Sequence, residues 1–136
     1  MRELIERSPK PLVIDADGIN ALAGDPGVLK GRKVSITITP HSGELSKLMS
    51  QEIPAAPLDK IEATREIARS LGITVVHKGA PSLIVSVGGD VWVNYYGTSA
   101  LAKAGTGDVL TGRIGGFAAQ GAEPLGAACV GCYLHG

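Results

Sequence analysis

Three β-branched runs each break off into a polar cluster, and that pattern admits few folds. Pro11-Leu12-Val13-Ile14 ends in Asp15-Ala16-Asp17-Gly18, and Lys33-Val34-Ser35-Ile36-Thr37-Ile38-Thr39, which alternates with period two, is stopped by Pro40 ahead of His41-Ser42-Gly43-Glu44. Ile73-Thr74-Val75-Val76-His77 runs into Lys78-Gly79-Ala80-Pro81-Ser82. Helical stretches separate these strands: a short one at 19–23 before the Asp25-Pro26-Gly27 turn, one from His41 to about Met49, and a longer one after the linker bracketed by Pro54 and Pro57. In the longer one Leu58, Ile61, Ile67, Ala68 and Leu71 recur at helical spacing, Glu62, Arg65, Glu66 and Arg69 make a solvated face, and Gly72 caps the end. Residues 82–87 and 90–94 across Gly88-Gly89 read as a hairpin, and two apolar helices are expected at 107–120 and 123–135.

This order predicts an α/β layered fold with a mainly parallel sheet. Ligands of such sheets sit beyond the carboxyl ends of the strands, so the clusters at 15–20, 39–44, 78–82 and 105–108 are expected to share one crevice. The 136 residues, 44% hydrophobic, suffice for a single domain, 1–136, with no visible repeat. Thirteen basic residues balance thirteen acidic ones, which leaves no field for nucleic acid or an anionic membrane. No apolar run approaches the ~18 residues of a membrane span, and the chain reads as cytoplasmic. Cys129 and Cys132 are too few for a disulfide scaffold and read as buried packing.

Glycine is unevenly distributed: ten of the 19 lie between Gly97 and Gly136. Among them, Ala104-Gly105-Thr106-Gly107-Asp108-Val109-Leu110-Thr111-Gly112 is a glycine-rich loop entering an apolar helix, a natural anion hole. Asp108 there is either a helix-stabilising first-turn acid or a general base beside bound phosphate. The loop is neither a P-loop nor a dinucleotide fingerprint. Lys78 suits a phosphate, with Gly79 and Ala80 offering backbone contacts, or the segment is a plain hairpin entry. His41 stands at a strand-to-helix junction with Glu44 three residues on, and Ser42 is the expected N-cap. Asp15 and Asp17 suit substrate hydroxyls or a hydrated metal, although Asp17 equally suits a helix cap. His77 and His135 stand in no readable constellation.

Taken together, Asp15-Ala16-Asp17-Gly18-Ile19-Asn20-Ala21-Leu22, Thr39-Pro40-His41-Ser42-Gly43-Glu44, Lys78-Gly79-Ala80 and the Gly105-Thr106-Gly107-Asp108 loop resemble the ADP-dependent NAD(P)H-hydrate dehydratases of the ribokinase-like superfamily. The match covers essentially the whole chain but only the carboxyl-terminal part of that family's longer domain. It implies a partial ribokinase-like three-layer α/β/α sandwich that repairs hydrated NADH or NADPH, with ADP, or ATP in some relatives, phosphorylating the added hydroxyl before phosphate is eliminated. Asp108 would be the catalytic base, and His41, Glu44 and Asp108 would contact the hydrated dinucleotide. Lys78, Gly79, Ala80, Pro81 and Ser82, with Gly105, Thr106 and Gly107, would bind the nucleotide. Mg²⁺ is implied by the phosphates, with no protein metal ligand assigned, and a homo-oligomer is expected to complete the domain. A small-molecule kinase of the hydroxyethylthiazole kinase type and an inactive nucleotide-binding fragment are the alternatives. Ser42 stands where many relatives carry a second proline.

Overall fold

The computed structural model describes residues 1–94 together with 114, 115, 126 and 127, and the last four are helical. The expected helices at 107–120 and 123–135 otherwise lie outside the described residues. Among the described residues five strands, β1 (Leu12–Ile14), β2 (Ile36–Ile38), β3 (Thr74–His77), β4 (Ser82–Val85) and β5 (Val91–Asn94), form one sheet in sequential order. β1, β2 and β3 are parallel, with Leu12 opposite Ile36 and Thr37 opposite Thr74. The pairs β3–β4 and β4–β5 are antiparallel. Chain length decides the change of direction, because the connections after β3 and β4 are too short for the crossover that a parallel neighbour requires.

The crossover from β1 to β2 carries α2 (Asp17–Asn20), and that from β2 to β3 carries α3 (Ser42–Met49) and α4 (Pro57–Leu71); α1 (Arg2–Arg7) precedes the sheet. The short helix expected at 19–23 thus starts two residues earlier, and Asp25-Pro26-Gly27 opens a 3₁₀ turn, Pro26–Leu29. The period-two pattern read in β2 does not describe its burial: Ile36, Thr37 and Ile38 are all buried, as is the whole of β3. Central strands of a parallel sheet that are covered on both faces lose their alternation.

Pro57 occupies the first turn of α4, where a missing N–H is harmless, and Gly72 ends the helix at φ 66°. Thr64, Ile67, Ala68 and Leu71 face inward. Leu58 does not join them: it is 79% exposed, because at 3.6 residues per turn it falls on the far side from Leu71. The charged face is less solvated than its composition suggests. Arg65 donates to the Gly89 carbonyl at 2.9 Å, which fastens α4 to the hairpin turn. Gly89 itself has φ +90°, and a Cβ there would run into the Arg69 guanidinium.

The core gathers Ile14, Ile38, Leu45, Leu48, Ile67, Val75 and Val85 between the sheet and these helices. Fully burying each large side chain is worth about 2 kcal/mol. The loops that leave the carboxyl ends of β1, β2 and β3 emerge together above this core, and the polar clusters ride on them.

Candidate functional site

The site begins with the turn that follows β1. Gly18 N–H donates to the Asp15 carbonyl at 2.9 Å, which closes a four-residue turn in which Ala16 takes φ 44° and ψ −114°. A residue with a Cβ holds that conformation at a cost of about 1–3 kcal/mol, and the strain directs the Ala16 N–H at the Asp15 carboxylate. Asp15 reaches across to the end of the third strand, where its Oδ1 lies 3.1 Å from Lys78 Nζ. Burial works to lift the Asp15 carboxyl, but the Thr39 hydroxyl, the Lys78 ammonium and the Ala16 N–H outweigh it and hold the group below the usual carboxylate range.

The backbone is stitched at the same level. Thr39 N–H donates to the Ile14 carbonyl at 3.1 Å, and Lys78 N–H to the Pro40 carbonyl at 2.8 Å. The ends of β1, β2 and β3 are therefore one hydrogen-bonded rim, and the clusters at 15–20, 39–44 and 78–82 meet there as the strand pattern predicts.

His41, not Ser42, is the N-cap of α3. Its Nδ1 accepts from Glu44 N–H at 3.1 Å while its own N–H donates to Glu44 Oε2 at 3.2 Å, a reciprocal capping box. Because Nδ1 accepts, the ring proton of the neutral imidazole belongs to Nε2, which lies 3.1 Å from Glu44 Oε1. Both oxygens of Glu44 are thereby engaged by residue 41, so a role of Glu44 toward a ligand passes through His41. The imidazole is exposed, and the two residues that follow it, Ser42 and Gly43, border an open groove of about 700 Å³ together with Ser46, Glu52 and Pro54.

Gly43 is required by this arrangement, since a Cβ there would lie 3.0 Å from His41 Cε1 and 3.2 Å from Nδ1. Gly43→Ala sets a helix-propensity gain of up to about 1 kcal/mol against a lost cap bond of similar size. The expected outcome is an unfolding midpoint close to that of the unaltered chain, together with a displaced ring. Urea titration and the ¹⁵N shifts of His41 would read the two effects separately, and unmoved His41 shifts would refute the steric argument.

The β3–β4 connection holds Lys78, Gly79, Ala80 and Pro81, and Ser82 opens β4. Ser82 Oγ donates to the Gly79 carbonyl at 3.1 Å and receives Gly79 N–H at 3.3 Å, so the loop is closed by its own side chain. Lys60 of α4 brings its ammonium to within 3.1 Å of where a Gly79 Cβ would stand. The Lys60 ammonium thus stands over the bare Gly79 backbone, next in sequence to Lys78, which suits a phosphate-bearing ligand.

Asp108, Gly105, Thr106 and Gly107 lie outside the described residues. Asp17 opens α2 and is exposed. Among the described residues, no three His, Cys, Asp or Glu side chains gather as a metal-ligand set, and no helix is long and apolar enough to cross a membrane. Sequence reasoning missed His77, Thr64 and Lys60. Their partners lie in other elements, and no local motif joins them.

A family profile described as NAD(P)H-hydrate dehydratase matches residues 1–136. The chain is 41% identical over 136 residues to a bifunctional NAD(P)H-hydrate repair enzyme of Moorella thermoacetica, an alignment covering all of this chain and 26% of that protein. It is 40% identical to an ADP-dependent (S)-NAD(P)H-hydrate dehydratase of Neisseria meningitidis, covering 98% of this chain and 46% of the relative. An ADP/ATP-dependent NAD(P)H-hydrate dehydratase from Bacillus subtilis, co-crystallised with ATP and Mg²⁺, matches with a TM-score of 0.79 and 34% identity over 93% of this chain and 44% of that one. The chain spans less than half the length of these relatives. The ribokinase-like α/β fold expected from the motifs is borne out.

Proposed function

The chain belongs to the NAD(P)H-hydrate dehydratase family, and from that premise we propose that its crevice serves the ADP-dependent dehydration of hydrated NADH or NADPH. What supports the reading within the molecule is one observation: the Asp15–Lys78 ion pair ties the first and third parallel strands across the second, which carries His41. Anion-binding and hydroxyl-binding groups thereby share one rim.

In this reading Lys78 and the loop through Ser82, with Gly105, Thr106 and Gly107, hold the nucleotide, and His41 contacts the hydrated dinucleotide. The Asp108 carboxylate takes the proton of the added hydroxyl as its oxygen bonds to the terminal phosphorus of ADP and the bridging P–O bond breaks, releasing AMP. The ring C–O bond then breaks; phosphate leaves, and loss of an adjacent ring proton restores the dihydronicotinamide. Asp15 is already occupied by Lys78, Thr39 and Ala16, so Mg²⁺ is assigned to the nucleotide phosphates, where it offsets developing charge.

The test mixes the 136-residue chain with chemically hydrated NADH, Mg²⁺ and ADP and follows recovery of dihydronicotinamide absorbance. Recovery that requires the nucleotide is the expected result. A phosphorylated product that accumulates without recovery would replace the reading with a kinase, and no reaction with ADP or ATP would overturn it for this chain.

A further inference from the structure

His77 closes β3 and is wholly buried, with 0% of its surface exposed, yet both ring nitrogens are engaged. Nε2 lies 2.7 Å from Ser42 Oγ, and Nδ1 lies 2.9 Å from Thr64 Oγ1. One assignment of protons lets all three bonds form together. The Thr64 hydroxyl donates its one proton to the Lys60 carbonyl at 2.8 Å, one turn back along α4. It can therefore only accept from the ring, which places the imidazole proton on Nδ1. Nε2 is then a bare acceptor, and the Ser42 hydroxyl donates into it. The opposite tautomer would turn the Thr64 hydroxyl away from the Lys60 carbonyl and into the ring, giving up one of the three bonds.

These bonds join three elements that each carry part of the rim. Ser42 is the first residue of α3, directly after the N-cap His41. Thr64 stands on α4 one turn beyond Lys60, and His77 immediately precedes Lys78. His77 cannot itself touch a ligand, so its influence passes through Ser42. Among the described residues, the ring of His41 is held by first-turn groups of α3, namely Glu44 N–H and the Glu44 carboxylate, and it lies in the space that Gly43 leaves open. A rotation of that turn moves the ring.

We propose that His77 is a positioning residue for His41, a single-tautomer bridge that pins the first turn of α3 to α4 and so fixes the direction in which the His41 imidazole meets its ligand. Its consequence for catalysis rests on the assignment of His41 to the substrate, whereas the bridge itself does not.

Long-range ¹H–¹⁵N correlation on the ¹⁵N-labelled chain tests the proposal without nucleotide or hydrated dinucleotide, so failure of the dehydratase reading leaves it untouched. His77 is expected as a single Nδ1–H tautomer and His41 as Nε2–H. In Ser42→Ala the His41 ring nitrogens are expected to move toward the averaged shifts of a free imidazole, and Ser42→Thr, which keeps the hydroxyl, is expected to restore them. An Nε2–H or averaging His77 in the unaltered chain would overturn the bridge. His41 shifts unchanged in Ser42→Ala would overturn the positioning role. Should Ser42→Ala not fold, Thr64→Val serves instead, since His77 then loses its Nδ1 acceptor: loss of the single tautomer supports the bridge, and its persistence overturns it.

Discussion

Asp108→Asn is expected to lower kcat for hydrated NADH by about 10²–10⁴-fold, the usual worth of a positioned general base, while the Kd for ADP changes by only a few-fold. Asparagine keeps the size and hydrogen-bonding reach of the carboxylate and removes only its basicity. In the proposed reading nucleotide affinity rests on the glycine backbone and on Lys78, which the change leaves alone. Isothermal titration with ADP beside the absorbance assay separates binding from chemistry. Turnover within tenfold of the unaltered chain would show that another group takes the hydroxyl proton.

Acid should weaken the fold well before its carboxylates are protonated. Burial, with the charges of Lys60 and His41 adding to it, pushes the His77 imidazole down from 6.5 to about 4. The unfolded chain therefore binds a proton near pH 6.5 that the folded chain refuses until about pH 4. The stability this represents is complete above pH 6.5 and drains away as pH falls through that window, a loss of about 3 kcal/mol at 1.36 kcal/mol per unit. Asp15 acts in the same direction lower down: its carboxyl is held below its ordinary value, so its contribution is present above about pH 4 and lost beneath. Urea unfolding at pH 7, 5.5 and 4.5 measures the slope, and His77→Gln supplies the reference without the titrating ring. Equal slopes in the two proteins would remove His77 as the cause.

The parts of the architecture legible in the sequence are those written locally. β-branched runs ending at Asp15, Pro40 and Lys78 located the parallel strands, and Gly88-Gly89 located the hairpin turn, because strand cores and turns are chosen by adjacent residues. Three polar clusters converge for the same reason, since parallel strands place their carboxyl ends together. Features set by distant partners were not legible. Ser42 is an ordinary helix cap by residue type, but its hydroxyl is drawn to His77, thirty-five positions away, and His41 takes the cap in its place. Arg65 belongs to a charged helix face, yet the carbonyl it finds lies in the hairpin turn. His77 sits in an apolar strand with no neighbour in sequence to suggest a role, and only packing against α4 supplies Thr64.

The parallel half of the sheet joins residues far apart in the chain, Leu12 with Ile36 and Thr37 with Thr74, while the hairpin joins Val85 with Val91. Loop-closure entropy sets the order in which such pairings are reached: near ones first, remote ones last. The hairpin and α4 are thus expected to take shape while the crevice is still open chain, with the rim sealed by Thr39 on Ile14 and Lys78 on Pro40 expected late in assembly. A nucleotide that needs this rim can engage only molecules that have finished folding, so every ligand captured there also biases the population toward the completed sheet.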